Sequence, residues 1–272
     1  MKQKRIRFLV LLAMLVFVTG LMVVANSPTG RALLKTKRHF VPVDQCPGLY
    51  FEPGMETMAK AVQNGWSESI AVVEASQGSP FPKPVKVYLC ASWSSFNAFT
   101  GAPAKGRARG ATFGEAVYLS HEAGRLGDPK GVLIHELSHL HLKQHLGMSF
   151  TWRIPEWFLE GLAVSVSGSG AERITGEEAA EAIQNGQTLV LHTRGRGLNP
   201  RRARDHGLSH FMYYRQSAMF VGYLKAKDPE RFERFLGDLI HGGNFTTAFK
   251  NRFGTSLKGA WLAFTKNLSS EP

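Results

Sequence analysis

His135 and His139 stand four residues apart with Glu136 between them, in the order H-E-x-x-H. On an α-helix, residues four apart rise from one face about one turn from each other, so both imidazoles can reach a single metal ion. The same turn carries the Glu136 carboxylate toward the metal's open side, where it can take a proton from water. Catalytic zinc takes three protein ligands and leaves a fourth position free, so a further donor must come from downstream. Three residues qualify by type. His141 is only two residues from His139 and faces away on a helix. His145 would need the helix to break at position 142, and that residue is Leu142, a good helix former. In a continuous helix His145 lies about 120° around the axis and about 9 Å beyond His139, out of reach. Glu160 is the stronger candidate, since the 20 residues after His139 allow a loop and a return.

The elements that must position these groups have their own signals. Asp128-Pro129 reads as a helix start, with Asp as N-cap and Pro at the first helical position. Gly147 reads as its C-cap. Val132, Leu133, Leu137, Leu140 and Leu142 supply apolar cover, which predicts a helix of about 17 residues. Pro155 marks the next start and places Glu160 about one and a half turns inside a second helix. Gly161 removes a side chain beside that ligand, as expected where two helices pack closely.

With these two motifs at this separation, the chain resembles the gluzincins, in particular the peptidase MA-like group related to aminopeptidase N-type enzymes. Their pattern is H-E-x-x-H, a gap near twenty residues, then W-x-x-E-G-x-A. Trp157, Glu160, Gly161 and Ala163 match its second part. The resemblance extends from about Val85 to Leu268. Tyr214-Arg215-Gln216-Ser217 with Phe220 to Leu224 looks like the group's tyrosine helix, and Gly243 to Leu257 like its closing helices.

The resemblance implies one Zn²⁺ per chain held by His135, His139 and Glu160, which brings the pKa of bound water to roughly 7. Glu136 is then the general base, and Tyr214 the hydrogen-bond donor to the developing oxyanion. Tyr213 and His210 could fill the same role, and Tyr214 could instead be a core aromatic. Glu156, one turn before Glu160, is either a partner of a ligand histidine or a solvated carboxylate. Gly110-Ala111-Thr112-Phe113 stands where aminopeptidase N-type enzymes carry G-A-M-E-N on the strand lining the cleft. Phe113 replaces the glutamate that holds a free amine, which favours an endopeptidase.

The N-terminus sets the expected compartment. A basic lead, Met1 to Arg7, precedes an apolar stretch of 18 residues from Phe8 to Ala25. That reads as a retained signal-anchor (residues 1–28) with the remainder exported, the expected compartment being a bacterial periplasm or cell envelope; Val23-Val24-Ala25 keeps a cleaved signal peptide and a secreted product open. Residues 29–44 form a basic linker, and 45–272 a single zincin-like metallopeptidase domain.

The net charge of +12 suggests nucleic acid or a membrane surface at first sight. Yet residues 1–38 hold eight Lys/Arg and no acid, so the remainder carries 25 basic against 21 acidic residues. No nucleic-acid fold signature accompanies that ordinary balance. One basic cluster remains, Arg194, Arg196, Arg201, Arg202 and Arg204, read as a solvated loop or a lid over an anionic substrate. Cys46 and Cys90, the two cysteines, suggest a disulfide in an exported protein, with two unpaired buried thiols as the alternative.

The expected class is α+β, a small antiparallel sheet followed by a mainly helical half with zinc between them. The expected function is a membrane-anchored or exported zinc peptidase acting on peptide or protein substrates. The alternative is a non-catalytic binding or scaffold protein of the same fold.

Overall fold

The computed structural model describes residues 14, 19, 22, 25–103, 107–125, 128–193, 195 and 203–268. Its first half alternates helices with strands: α1 (Pro28–Leu34), β1 (Val41–Pro42), β2 (Leu49–Phe51), α2 (Glu56–Asn64), α3 (Trp66–Gln77), β3 (Val87–Cys90), α4 (Trp93–Thr100), β4 (Gly110–Phe113) and β5 (Ala116–Ser120). The second half is helical among the described residues: α5 (Lys130–Leu146), α6 (Phe150–Arg153), α7 (Glu156–Ser167), α8 (Gly176–Gln184), α9 (His210–Lys227), α10 (Pro229–Ile240), α11 (Phe245–Phe253) and α12 (Leu257–Leu268).

The strands form one sheet in the order β1-β2-β3-β5-β4. The α+β class holds, but the sheet is mixed rather than antiparallel. β1/β2 and β4/β5 are antiparallel, whereas β2/β3 and β3/β5 are parallel. The cause is connectivity. α2 and α3 carry the chain back from the end of β2 to the start of β3, and such a crossover returns a strand in the same direction. β4 and β5 are joined by a two-residue turn, with Gly114 at φ +58°.

Strand alternation sends Val87, Leu89, Val117 and Leu119 to one face, where they pack with Leu133, Leu137 and Leu140 of α5. Tyr88 and Tyr118 face the other way, into a cluster with Phe40, Phe96 and Phe99. This alternation also overturns the expected disulfide. Cys46 packs with Val87 and Leu89, while Cys90 belongs to the aromatic cluster across the sheet. Both cysteines are therefore buried free thiols, and burial pushes Cys90 up to about 12.

α5 is buried on nearly every side between the sheet and the helical half. It has the expected 17 residues but starts one position later than Asp128-Pro129 implied. Pro129 takes the cap position, and Asp128 Oδ1 accepts from the Lys130 amide at 2.9 Å. Gly147 ends the helix at φ +62°. α7 follows Pro155 as predicted. A Cβ at Gly161 would lie 2.5 Å from the Ser217 carbonyl oxygen, so this glycine lets α7 and α9 touch. Asp228 and Asn244 cap α10 and α11 with their side chains. Trp157, Phe158, Phe220, Phe235, Phe245 and Phe249 fill the core of this half.

Residues 29–44, expected as a linker, enter the fold. They contain most of α1 and all of β1, and Phe40 is buried in the aromatic cluster. Most of the apolar stretch 8–25 lies outside the described residues. Among the described residues no helix is long and apolar enough to cross a membrane. Arg194, Arg196, Arg201 and Arg202 also lie outside them. Arg204 is exposed, 3.9 Å from Asp205.

Candidate metal centre

α5 presents His135 and His139 from one face, and α7 brings Glu160 against them. His135 Nε2 and His139 Nε2 are each near Glu160 Oε2, at 3.3 and 3.4 Å, and 3.3 Å from each other. All three side chains are almost inaccessible, Glu160 at 4 % and the histidines at 10 % and 12 %. The edges of this triangle allow a direct test of fit. A tetrahedral ion with nitrogen and oxygen donors at about 2.0–2.1 Å spaces those donors about 3.3–3.4 Å apart. The side chains therefore meet with the spacing that a small tetrahedral ion requires. Among the described residues these are the His, Cys, Asp and Glu side chains whose ligand atoms converge in this way.

Supporting contacts fix the donors. His135 Nδ1 lies 3.1 Å from the Ser169 carbonyl oxygen, which accepts its proton and leaves Nε2 bare toward Glu160. Gly170, at φ +110°, is needed here, because a Cβ would fall 3.2 Å from both His135 Cε1 and Tyr214 Cδ2. Burial pushes the Glu160 carboxyl up, but His139 and His135 outweigh it and hold the group well below the usual carboxylate range. Burial lowers His135 in turn, and Glu160, Glu136 and the Ser169 carbonyl reverse this to a net rise.

Glu136 is held from the sheet. Thr112 Oγ1 stands 2.8 Å from the Glu136 carbonyl oxygen and 3.0 Å from its Oε2, donating its one proton between them. A Cβ at Gly110 would lie 2.6 Å from Glu136 Cγ, so that glycine makes room for the carboxylate. Gly110 and Thr112 thus share the face of β4 that meets α5. Ala111 and Phe113 point the other way, into the aromatic cluster. Of the strand residues singled out from the sequence, Gly110 reaches the site and Ala111 does not.

α9 brings Tyr214 rather than Tyr213 against His135. The Tyr214 ring stacks on His135 with centroids 6.0 Å apart and planes 13° apart. Tyr213 is 1 % exposed and packs in the helical core, its ring 5.0 Å from that of His206. His210 reaches the site indirectly, its ring 4.1 Å from Tyr214. Burial lowers its pKa, opposed by Glu160. Trp157 is a packing residue, fully buried with Nε1 donating to the His192 carbonyl at 2.9 Å. Glu156 opens α7 and is partly buried one turn before Glu160.

His141 and His145 face the opposite side of α5, as their spacing requires. Their Nε2 atoms lie 2.8 Å from the Ser79 carbonyl oxygen and 3.2 Å from that of Pro80. Burial pushes His141 down to about 4. Between that value and the ordinary pKa near 6.5, the unfolded chain binds a proton that the folded one excludes. The stability from this residue is complete at neutral pH, declines as pH falls below about 6.5, and levels off below about 4. Denaturant unfolding of metal-free protein will show wild type losing about 2 kcal/mol more than His141→Gln between pH 7 and pH 4.5. Equal losses in the two proteins would refute this.

Thr112, Ser169 and Gly170 were not anticipated from the sequence. Gly168 and Gly170 in the Ser-Gly-Ser-Gly run after α7 were the available hint, since closely spaced glycines mark a backbone that approaches something tightly. No known protein family matches the chain, and no curated protein matches it.

Proposed function

We propose that this chain is a zinc-dependent endopeptidase of the gluzincin type, exported or anchored through residues 8–25. The observation that carries this reading is the Glu136 carboxylate, held by Thr112 beside three buried donors whose 3.3–3.4 Å spacing suits a tetrahedral ion. A scaffold that only bound metal would have no use for a carboxylate positioned in this way. Two imidazoles and one carboxylate are a donor set that suits zinc, with one position left for chemistry.

The ion, when held by His135, His139 and Glu160, supplies Lewis acidity and lowers the pKa of water to near neutrality. Glu136 takes the proton of the attacking water and delivers it to the amine nitrogen that leaves. Thr112 keeps the carboxylate aimed for both transfers. Tyr214, stacked against His135, donates its hydroxyl hydrogen to the carbonyl oxygen as that oxygen gains charge. β4 is an edge strand, so an extended peptide can pair along it and pass in front of Glu136.

The test is a peptide library profiled by mass spectrometry, with zinc-loaded and chelator-treated protein. Internal cuts that vanish with chelator are expected, and no cleavage under any condition would overturn the proposal. In the same assay Tyr214→Phe will lower kcat by about 10²-fold, equivalent to about 2.7 kcal/mol, with KM and melting temperature little changed. A loss of stability with normal kcat would instead mark Tyr214 as a packing residue.

A further inference from the structure

The walls of a cavity of about 500 Å³ are dominated by arginine. Arg107 and Arg109 come from the segment entering β4, Arg125 from the turn after β5, and Arg173 from the connection between α7 and α8. Two carboxylates share the lining, Glu122 and Glu172. Glu172 accepts from Arg109 Nη2 at 2.7 Å and from Ser169 Oγ at 2.8 Å, and Glu122 accepts from Arg125 Nη1 at 2.8 Å. Among the described residues, four guanidinium groups thus face two carboxylates, an excess of two positive charges. Arg107 lies over the Trp93 ring at 5.2 Å and Arg173 over the Phe211 ring at 5.0 Å, so each is braced against a wall.

The position of this cavity ties it to the reaction. Arg109 directly precedes Gly110, against which Glu136 lies. Glu172 is two residues beyond Gly170, which abuts His135. Phe211 stands three residues before Tyr214 on α9. Arg109 therefore stands at the N-terminal end of edge strand β4, next to the glycine against which Glu136 lies. A peptide pairing antiparallel to β4, the pairing that strand already makes with β5, runs with its C-terminal portion toward Arg109.

We propose that this cavity receives a carboxylate of the substrate on the C-terminal side of the cleaved bond, supplied by an acidic side chain or by the chain's own terminus. The inference rests on the peptidase reading and narrows its substrate class. Guanidinium groups suit the task because their planar forks match a carboxylate in two hydrogen bonds.

The test uses full-length Glu136→Gln protein, so that binding is read without turnover. Four fluorescein-labelled alanine-rich octapeptides serve as probes, carrying one glutamate or one glutamine and ending in a free or amidated carboxyl. Anisotropy titrations should show about tenfold tighter binding when a carboxylate is present, as expected for charged hydrogen bonds. Comparison of the four identifies whether the side chain or the terminus supplies it. Adding Arg107→Gln and Arg173→Gln should remove this preference while the neutral amidated peptide binds as before, a check that the variant is folded. Equal binding of all four peptides, or a preference that survives both substitutions, would overturn the proposal. Hydrolysis by wild type is read separately. A carboxylate preference without any hydrolysis would support this site and remove the peptidase reading.

Discussion

Glu136→Gln will leave the metal in place and reduce peptide hydrolysis by on the order of 10²–10⁴-fold. The substitution keeps the size of the side chain and its ability to accept from Thr112 Oγ1, now 3.0 Å from Oε2. It removes only the capacity to take a proton. His135, His139 and Glu160 hold their own contacts with one another and with the Ser169 carbonyl, so zinc content and melting temperature should match wild type. A variant that hydrolyses peptides at the wild-type rate would assign the base elsewhere. Wild-type protein that cleaves nothing and behaves as the variant does would favour the binding or scaffold reading.

Glu160→Ala acts on a different link, from ligand set to metal and from metal to stability. It removes one of three buried donors and leaves two neutral imidazoles, so metal affinity should drop by more than about 100-fold, beyond the usual cost of losing a mere supporting contact. Because a ligand that binds only the folded state stabilises it by mass action, the rise in melting temperature on adding zinc should vanish in this variant. His145→Ala is the control. That residue bonds toward Pro80 on the far side of α5, so its loss should leave zinc binding intact. The reverse pattern, zinc kept in Glu160→Ala and lost in His145→Ala, would move the third ligand to His145.

The shared face of His135 and His139 was legible because helical spacing is a strong local rule, whereas Glu160 rested on the helix start at Pro155, the separation of the two motifs and the resemblance. Two imidazoles four residues apart must share a face, and the unbroken run through Leu142 excludes His145. Helix ends were legible from Pro155 and Gly147, each of which acts through its own backbone. Tyr214 came from resemblance alone, and Tyr213 could be set aside only when α9 was seen to turn it into the core, while His210 stays beside Tyr214.

The sheet was harder to read. Strand direction depends on what connects the strands, and α2 and α3 carry few local marks of a crossover. The cysteine pair misled for a related reason, since spacing along the chain does not reveal which face of a sheet a side chain takes. Thr112 and the Ser169 carbonyl act across 24 and 34 residues of sequence, and nothing local marks a hydroxyl or a carbonyl for such contacts.

The central claim is that one ion is held by two imidazoles and one carboxylate. Zinc-edge X-ray absorption on full-length protein given one equivalent of zinc addresses it directly. The expected spectrum has only nitrogen and oxygen neighbours near 2.0–2.1 Å, with the outer-shell features of two histidines, and these features are lost in Glu160→Ala. A sulfur neighbour near 2.3 Å, or failure of wild type to retain zinc stoichiometrically, would contradict the account.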